Sequence, residues 1–164
     1  MADFSFDIVS EFDKAEMNNV FDQTKREMDS RYDFKGTPAS LEWLDDKKGL
    51  RFIGNGEWQI DAILDIVRKK LATRGIDQKV LDTSHDATES NLKTTKEVPF
   101  KQGLDQDKAK QLTKLIRDTN PKIKTQIQGD AVRVMSSSKD DLQTIMQLLR
   151  AHDFEFPVSF TNYR

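Results

Sequence analysis

Hydrophobic and polar positions change period several times along this chain, and each change predicts an element. Phe4, Phe6 and Ile8 alternate with Ser5, Asp7 and Val9, the period of a strand with one buried face. Asp13 with Glu16 three residues later forms a capping box. The helix behind it carries Met17, Val20, Phe21, Thr24 and Met28 on one stripe and ends near Ser30. Tyr32 and Phe34 alternate with Arg31, Asp33 and Lys35 and predict a strand, broken at Gly36 and Pro38 and extended by Leu41–Leu44. Asp46–Gly49 is a hairpin turn into the strand Leu50–Ile53. Gly54–Asn55–Gly56 opens a second helix with Ile60, Ile63, Ile66, Val67 and Leu71 as its stripe and Gly75 as its stop. Asp77–Leu81 predicts a short edge strand. Residues 83–95, rich in Ser, Thr and Asn, lack periodicity and predict a linker.

The cycle then restarts. Val98 and Phe100 alternate with Glu97, Pro99 and Lys101. Ala109, Leu112 and Ile116 lie on one helical face, and Ile123, Thr125 and Ile127 alternate with Lys122, Lys124 and Gln126. A turn at Gln128–Asp130 leads into Val132–Met135, Ser138 with Asp141 caps a last helix, and Val158 and Phe160 belong to a final strand. A shift of 82 positions carries Leu50–Arg68 onto Val132–Arg150 without a gap and sets every apolar residue of the second copy on an apolar residue of the first. Strand–helix–strand–strand–helix–strand, twice, predicts an α+β chain of two ferredoxin-like βαββαβ sandwich domains from an internal duplication. The first repeat covers 1–82, the linker 83–95 and the second repeat 96–164.

Composition narrows the function classes. With no Cys, disulfides, thiolate catalysis and Cys–zinc sites are excluded. No apolar stretch is long enough for a bilayer, and no apolar leader follows Met1, so a cytoplasmic protein without a membrane partner is expected. A net charge of −2 argues against a nucleic-acid binder that works by overall charge. Charge is nevertheless uneven, with nine Lys/Arg against four acids in Lys93–Lys124.

The segments SFDIVSE (Ser5–Glu11), REMDSRYDFKG (Arg26–Gly36), RGID (Arg74–Asp77), KQGLDQ (Lys101–Gln106), IQGDAVRV (Ile127–Val134), KDDLQ (Lys139–Gln143) and FTNYR (Phe160–Arg164) together resemble the YajQ family of bacterial proteins. The resemblance spans the chain. It implies that the two domains exchange their first strands, so that Phe4–Val9 joins the C-terminal sheet and Val98–Lys101 the central one. It also implies a cytosolic nucleotide-binding protein, with cyclic di-GMP as a ligand and a transcription regulator as a partner in some members.

Candidate chemistry follows from sorting strand residues by face. If Phe34, Phe52, Phe100, Ile123 and Val134 face the helices, the open faces carry Arg31, Lys35, Arg51, Lys101, Lys122, Lys124 and Arg133, against Asp7 and Asp33. Guanidinium and ammonium groups so gathered suit phosphate. The alternative is cross-strand pairing with Asp7, Asp33 or Glu97. The resemblance adds Arg26 and Gln102, and Lys139 sits at a helix N-terminus behind Ser136–Ser138. Arg51 and Arg133 occupy the central-strand positions where an RNA-recognition sheet carries stacking aromatics, so phosphate contacts should lead. His85 and His152 are peripheral and assemble no nucleophile–base pair. The expected function is therefore non-catalytic binding of a nucleotide, cyclic dinucleotide or RNA, with no cofactor or metal, on basic open sheet faces or in an interdomain groove. The alternative is a protein-interaction adaptor that modulates a transcription regulator.

Overall fold

The computed structural model describes residues 3–164. It is mixed α+β, with two four-stranded antiparallel sheets and four helices. In chain order the elements are β1 (Phe4–Val9), α1 (Lys14–Ser30), β2 (Ser40–Trp43), β3 (Gly49–Gly54), α2 (Glu57–Thr73) and β4 (Thr88–Ser90). They continue with β5 (Lys93–Pro99), α3 (Gln106–Thr119), β6 (Lys124–Gln128), β7 (Ala131–Ser136), α4 (Lys139–Ala151) and β8 (Ser159–Thr161). The chain divides into two compact units, one formed by Phe12–Lys101, the other by the described part of Met1–Glu11 with Gln102–Arg164.

In the Phe12–Lys101 unit the sheet order is β2-β3-β5-β4. The Asp13 carboxylate accepts from the N–H groups of Ala15 and Glu16 and starts α1. Its buried stripe is Met17, Val20, Phe21, Thr24 and Met28, as the spacing predicts. Helix α2 buries Ile60, Ile63, Ile66, Val67 and Leu71 against Leu41, Leu50, Phe52 and Val98 of the sheet. Ion pairs Lys70–Glu27 (3.1 Å) and Arg74–Glu16 (3.5 Å) join α2 to α1. Gly49 lies opposite Pro99 where β3 pairs with β5, and a Cβ there would stand 2.6 Å from both Pro99 Cα and the Val98 carbonyl oxygen.

In the other unit the order is β6-β7-β1-β8. Strand β1 pairs with β7, setting Phe6 opposite Val134 and Ile8 opposite Val132, and with β8 on its other side. Those apolar residues meet Ala109, Leu112 and Ile116 of α3 and Leu142, Ile145 and Leu149 of α4. Asp105 caps α3 through the Lys108 N–H, and Ser138 caps α4 through the Asp141 N–H. Both units thus bury one face of a sheet under two helices, an arrangement compatible with a duplicated unit.

Three local expectations change. Tyr32–Phe34 is a turn of 3-10 helix, not a strand. The N–H of Lys35 donates to the Tyr32 carbonyl and that of Thr37 to the Phe34 carbonyl, and Gly36 turns the chain at φ +73°. Gln78–Val80 is likewise 3-10, with Leu81 alone bridging to Phe100. Residues 83–95 contain β4 and the start of β5, joined by the two-residue turn Asn91–Leu92.

Candidate functional site

Register decides which of the sequence-derived cations share a surface. On β3, Arg51 lies opposite Glu42 of β2 and Glu97 of β5, because directly opposed residues of antiparallel strands point to one face. Its guanidinium donates to Glu97 (3.2 Å) and Glu42 (3.3 Å), and these carboxylates hold its pKa above the ordinary arginine value. The open face of that sheet is therefore balanced rather than basic. On the other open face Arg133 lies opposite Asp7. Arg133 Nε donates to Asp7 Oδ1 at 3.0 Å, and Asn162 Nδ2 donates to Asp7 Oδ2 at 2.8 Å. The Arg133 bond holds the nearly buried Asp7 carboxyl below the usual carboxylate range, and Asn162 adds to the effect. Lys124 of β6 shares this face, exposed and opposite Met135.

The expectation that seven cations line the open faces is thus corrected. Arg31 and Lys35 flank the 3-10 turn, Lys101 follows β5, and Lys122 precedes β6 in a turn where its N–H donates to Asn120 Oδ1. Alternation in Arg31–Lys35 mimics a strand, but burial of Phe34 alone, with Tyr32 91% exposed, satisfies the turn's packing. Lys101 acts electrostatically on Asp82. Gln102 is exposed beyond β5.

Two places do bring candidates to a cavity. The first is the end of α1 with the turn behind it. Lys25, Met28, Asp29, Phe34, Lys35 and Ser40 border a cavity of about 190 Å³ there. Arg26 is exposed on the same helix end, and it forms no ion pair with Asp22 among the described residues. Arg31 grips Asp33 through Nε (3.1 Å) and Nη2 (2.8 Å) and lies 4.9 Å from the Phe34 ring centre. This bond lowers the Asp33 pKa and leaves the remaining guanidinium N–H groups aimed by a fixed fork. Gln59, fully buried, clamps the segment. Its Oε1 accepts from the Asn55 N–H (2.7 Å), and its Nε2 donates to the Asp33 carbonyl (3.3 Å) and Thr37 Oγ1 (3.1 Å). Gln59 is missed by periodicity, since a polar residue on an apolar helix stripe was its one available signal.

The second place is a cleft of about 320 Å³ beside the start of α4, bordered by Lys139. Lys139 is thereby set against residues from both ends of the chain, Phe4 and Arg164 among them.

Among the described residues no helix is long and apolar enough to cross a membrane, and no group of three or more His, Asp or Glu is placed to hold a metal ion.

A family model described as nucleotide-binding protein YajQ-like matches residues 4–164. A protein named nucleotide-binding protein from Nocardioides sp. is 43% identical over 165 residues, covering 100% of both chains. One of the same name from Streptomyces griseus is 45% identical over 168 residues, again covering 100% of each. A third, from Marinomonas sp., is 44% identical over 160 residues and covers 98% of each chain.

Proposed function

We propose, from the premise that this chain belongs to the family of YajQ-like nucleotide-binding proteins, that it binds a nucleotide without altering it and holds the phosphate between Lys25 and Lys35, beside the C-terminal end of α1. The observation that carries the reading is the 190 Å³ cavity bordered by Lys25 and Lys35, which are flanked in sequence by Arg26, Arg31 and the exposed Tyr32.

The geometry divides the ligand. Pockets that swallow a whole small-molecule ligand hold roughly 300 Å³ or more. This one suits a phosphate and part of a sugar. Lys25 and Lys35 supply point charges for phosphate oxygens, and Asp29 on the same rim accepts from a sugar hydroxyl. The base then lies outside, against an aromatic face such as Tyr32, a contact worth roughly 1–3 kcal/mol per base. Free nucleotide, cyclic dinucleotide and single-stranded RNA all offer this combination of phosphate and base. The arginines of the open faces contribute less, because their donors are engaged by Glu42, Glu97 and Asp7.

The same reading takes each unit as a ferredoxin-like sandwich, with the copies 1–82 and 96–164 trading first strands. Pairing of β1 with β7 and β8, and of β5 with β3, supports it.

Isothermal titration with AMP, cyclic di-GMP and a uridine oligonucleotide tests the proposal. Lys35→Glu and Lys25→Glu are expected to weaken whichever of the three binds by at least tenfold, with circular dichroism unchanged. Undiminished affinity in both variants refutes the assignment.

A further inference from the structure

We infer that the 320 Å³ cleft of the other unit is a second, separate binding site, for a nucleoside monophosphate. This deepens the nucleotide-binding reading and rests on it for the ligand class; the location stands on its own geometry.

The cleft is built by a strand that the end of the chain adds beside β1. The Ser5 N–H donates to the Arg164 carbonyl (3.1 Å), and the Arg164 N–H returns to the Ser5 carbonyl (2.9 Å). Asn162, at φ +55°, turns the chain there, and its side chain is anchored on Asp7. Tyr163 and Arg164 are thereby fixed opposite the first turns of α4. The walls are apolar, from Phe4 and Phe6 of β1 and Leu142 and Met146 of α4. Tyr163 closes one side and is 61% exposed, so a large aromatic face remains without a packing partner. Such a space accepts a flat heteroaromatic base between a tyrosine ring and a thioether.

Charge selects the rest of the ligand. Lys139 borders the cleft and no acidic residue does; Arg164 also borders it, but its pairing with Ser5 turns its side chain to the open face, where its charge acts on Asp7. Asp140 and Asp141 belong to the same helix turn but are not part of the lining. Gln143 adds an amide able both to donate and to accept, as base edges require. An apolar ligand alone would leave the Lys139 ammonium facing it unpaired; a phosphate monoester pairs with it. The volume reaches the range of pockets that enclose a whole small ligand, which the cavity at α1 does not.

The duplicated unit supplies a control. The 82-residue shift sets Lys139 against Glu57, Gln143 against Asp61 and Met146 against Leu64. The pairing register sets Phe4, Ser5 and Phe6 against Thr94, Thr95 and Lys96. The basic, aromatic-walled character therefore belongs to one copy and is no general property of the architecture.

The experiment is an amide-resolved NMR titration of the full chain with AMP, with adenosine and inorganic phosphate as separate arms. AMP is expected to shift amides of Phe4–Phe6, Lys139–Met146 and Tyr163–Arg164, and more strongly than either half alone. Lys139→Glu should weaken that response at least tenfold. Gln143→Trp, which fills the cleft from the exposed side of α4, should remove it while α3 amides stay in place. Shifts confined to Lys25–Ser40 overturn the cleft and leave the proposed function standing. An AMP response at the cleft that equals that of inorganic phosphate overturns the nucleotide assignment. Silence at both places overturns both.

Discussion

Replacing Asp7 by Asn tests whether the charges of the open sheet face hold the fold or wait for a ligand. Asp7 is 6% exposed and accepts three hydrogen bonds, two from Arg133 at 3.0 and 3.4 Å and one from Asn162 at 2.8 Å. It therefore ties β1 to β7 and to the segment after β8. Asn keeps the shape but removes the charge, and its amide nitrogen cannot accept from the guanidinium. Hydrogen bonds to charged groups contribute about 1.5–3 kcal/mol. The Arg133 side chain is 27% exposed, so water recovers part of what it loses. The expected cost is about 2 kcal/mol, the middle of that range.

The pH dependence has a definite sign. Arg133, then Asn162, holds the folded Asp7 pKa below its ordinary value. The native state thus binds this proton less readily than the unfolded state. The stabilisation is complete above the unfolded carboxylate value of about 3.9 and is lost as pH falls through the lower folded value. Two compact units need not unfold together, so urea unfolding should be read separately on β7 and β3 amides. Asp7→Asn is expected to lower the β7 transition by about 2 kcal/mol at pH 7, to spare β3, and to converge on the parent protein as pH falls through the lowered folded value. A difference below about 0.5 kcal/mol at pH 7, the usual size for an unremarkable surface change, refutes the reasoning. So does one that persists undiminished in acid.

Three further outcomes follow from the geometry. Gln59→Leu removes the clamp on Asp33–Thr37; it should cost about 2 kcal/mol and weaken nucleotide binding at the α1 cavity without touching the ligand, measured by urea unfolding and titration. Gly49→Ala places a methyl 2.6 Å from backbone of β5 and should cost about 1–3 kcal/mol, with β3 and β5 amides losing exchange protection first. Leu92→Gly relieves a leucine at φ +64° in the β4–β5 turn and should stabilise by about 1 kcal/mol, seen as a higher urea midpoint at β5.

The helices were legible because two signals agree at each. In α1 the Asp13 cap and the Met17–Met28 stripe specify start, face and length independently. Strands with a buried face were legible for the same reason; Val132 and Val134 are fully buried where alternation puts them. Strand β4 was not, since Thr88, Glu89 and Ser90 are all exposed and carry no apolar period. Tyr32–Phe34 misleads because a 3-10 turn with one buried aromatic has the same short-range alternation as a strand. Site chemistry was less accessible than fold. Alternation correctly gives Arg51 an outward face, yet that Glu42 and Glu97 both stand beside it depends on the register of three strands. Likewise Lys139 and Tyr163 border one cleft only because a backbone ladder ties Arg164 to Ser5.

That division between arginine and lysine decides where a phosphate can go. Arg31, Arg51 and Arg133 each hold a carboxylate within 3.3 Å, and for a phosphate to displace it a carboxylate must be left without its partner. For Arg133 that carboxylate is nearly buried, and removing one partner of a buried pair costs several kcal/mol, more than a single exposed phosphate contact returns. Lys25, Lys35 and Lys139 border cavities and none forms an ion pair among the described residues, so engaging a phosphate breaks nothing comparable. Lys25 gives up only a contact 5.4 Å from the Phe21 ring centre. On the proposed reading, phosphate recognition falls to the lysines at the two cavities, while the open-face arginines hold strand to strand.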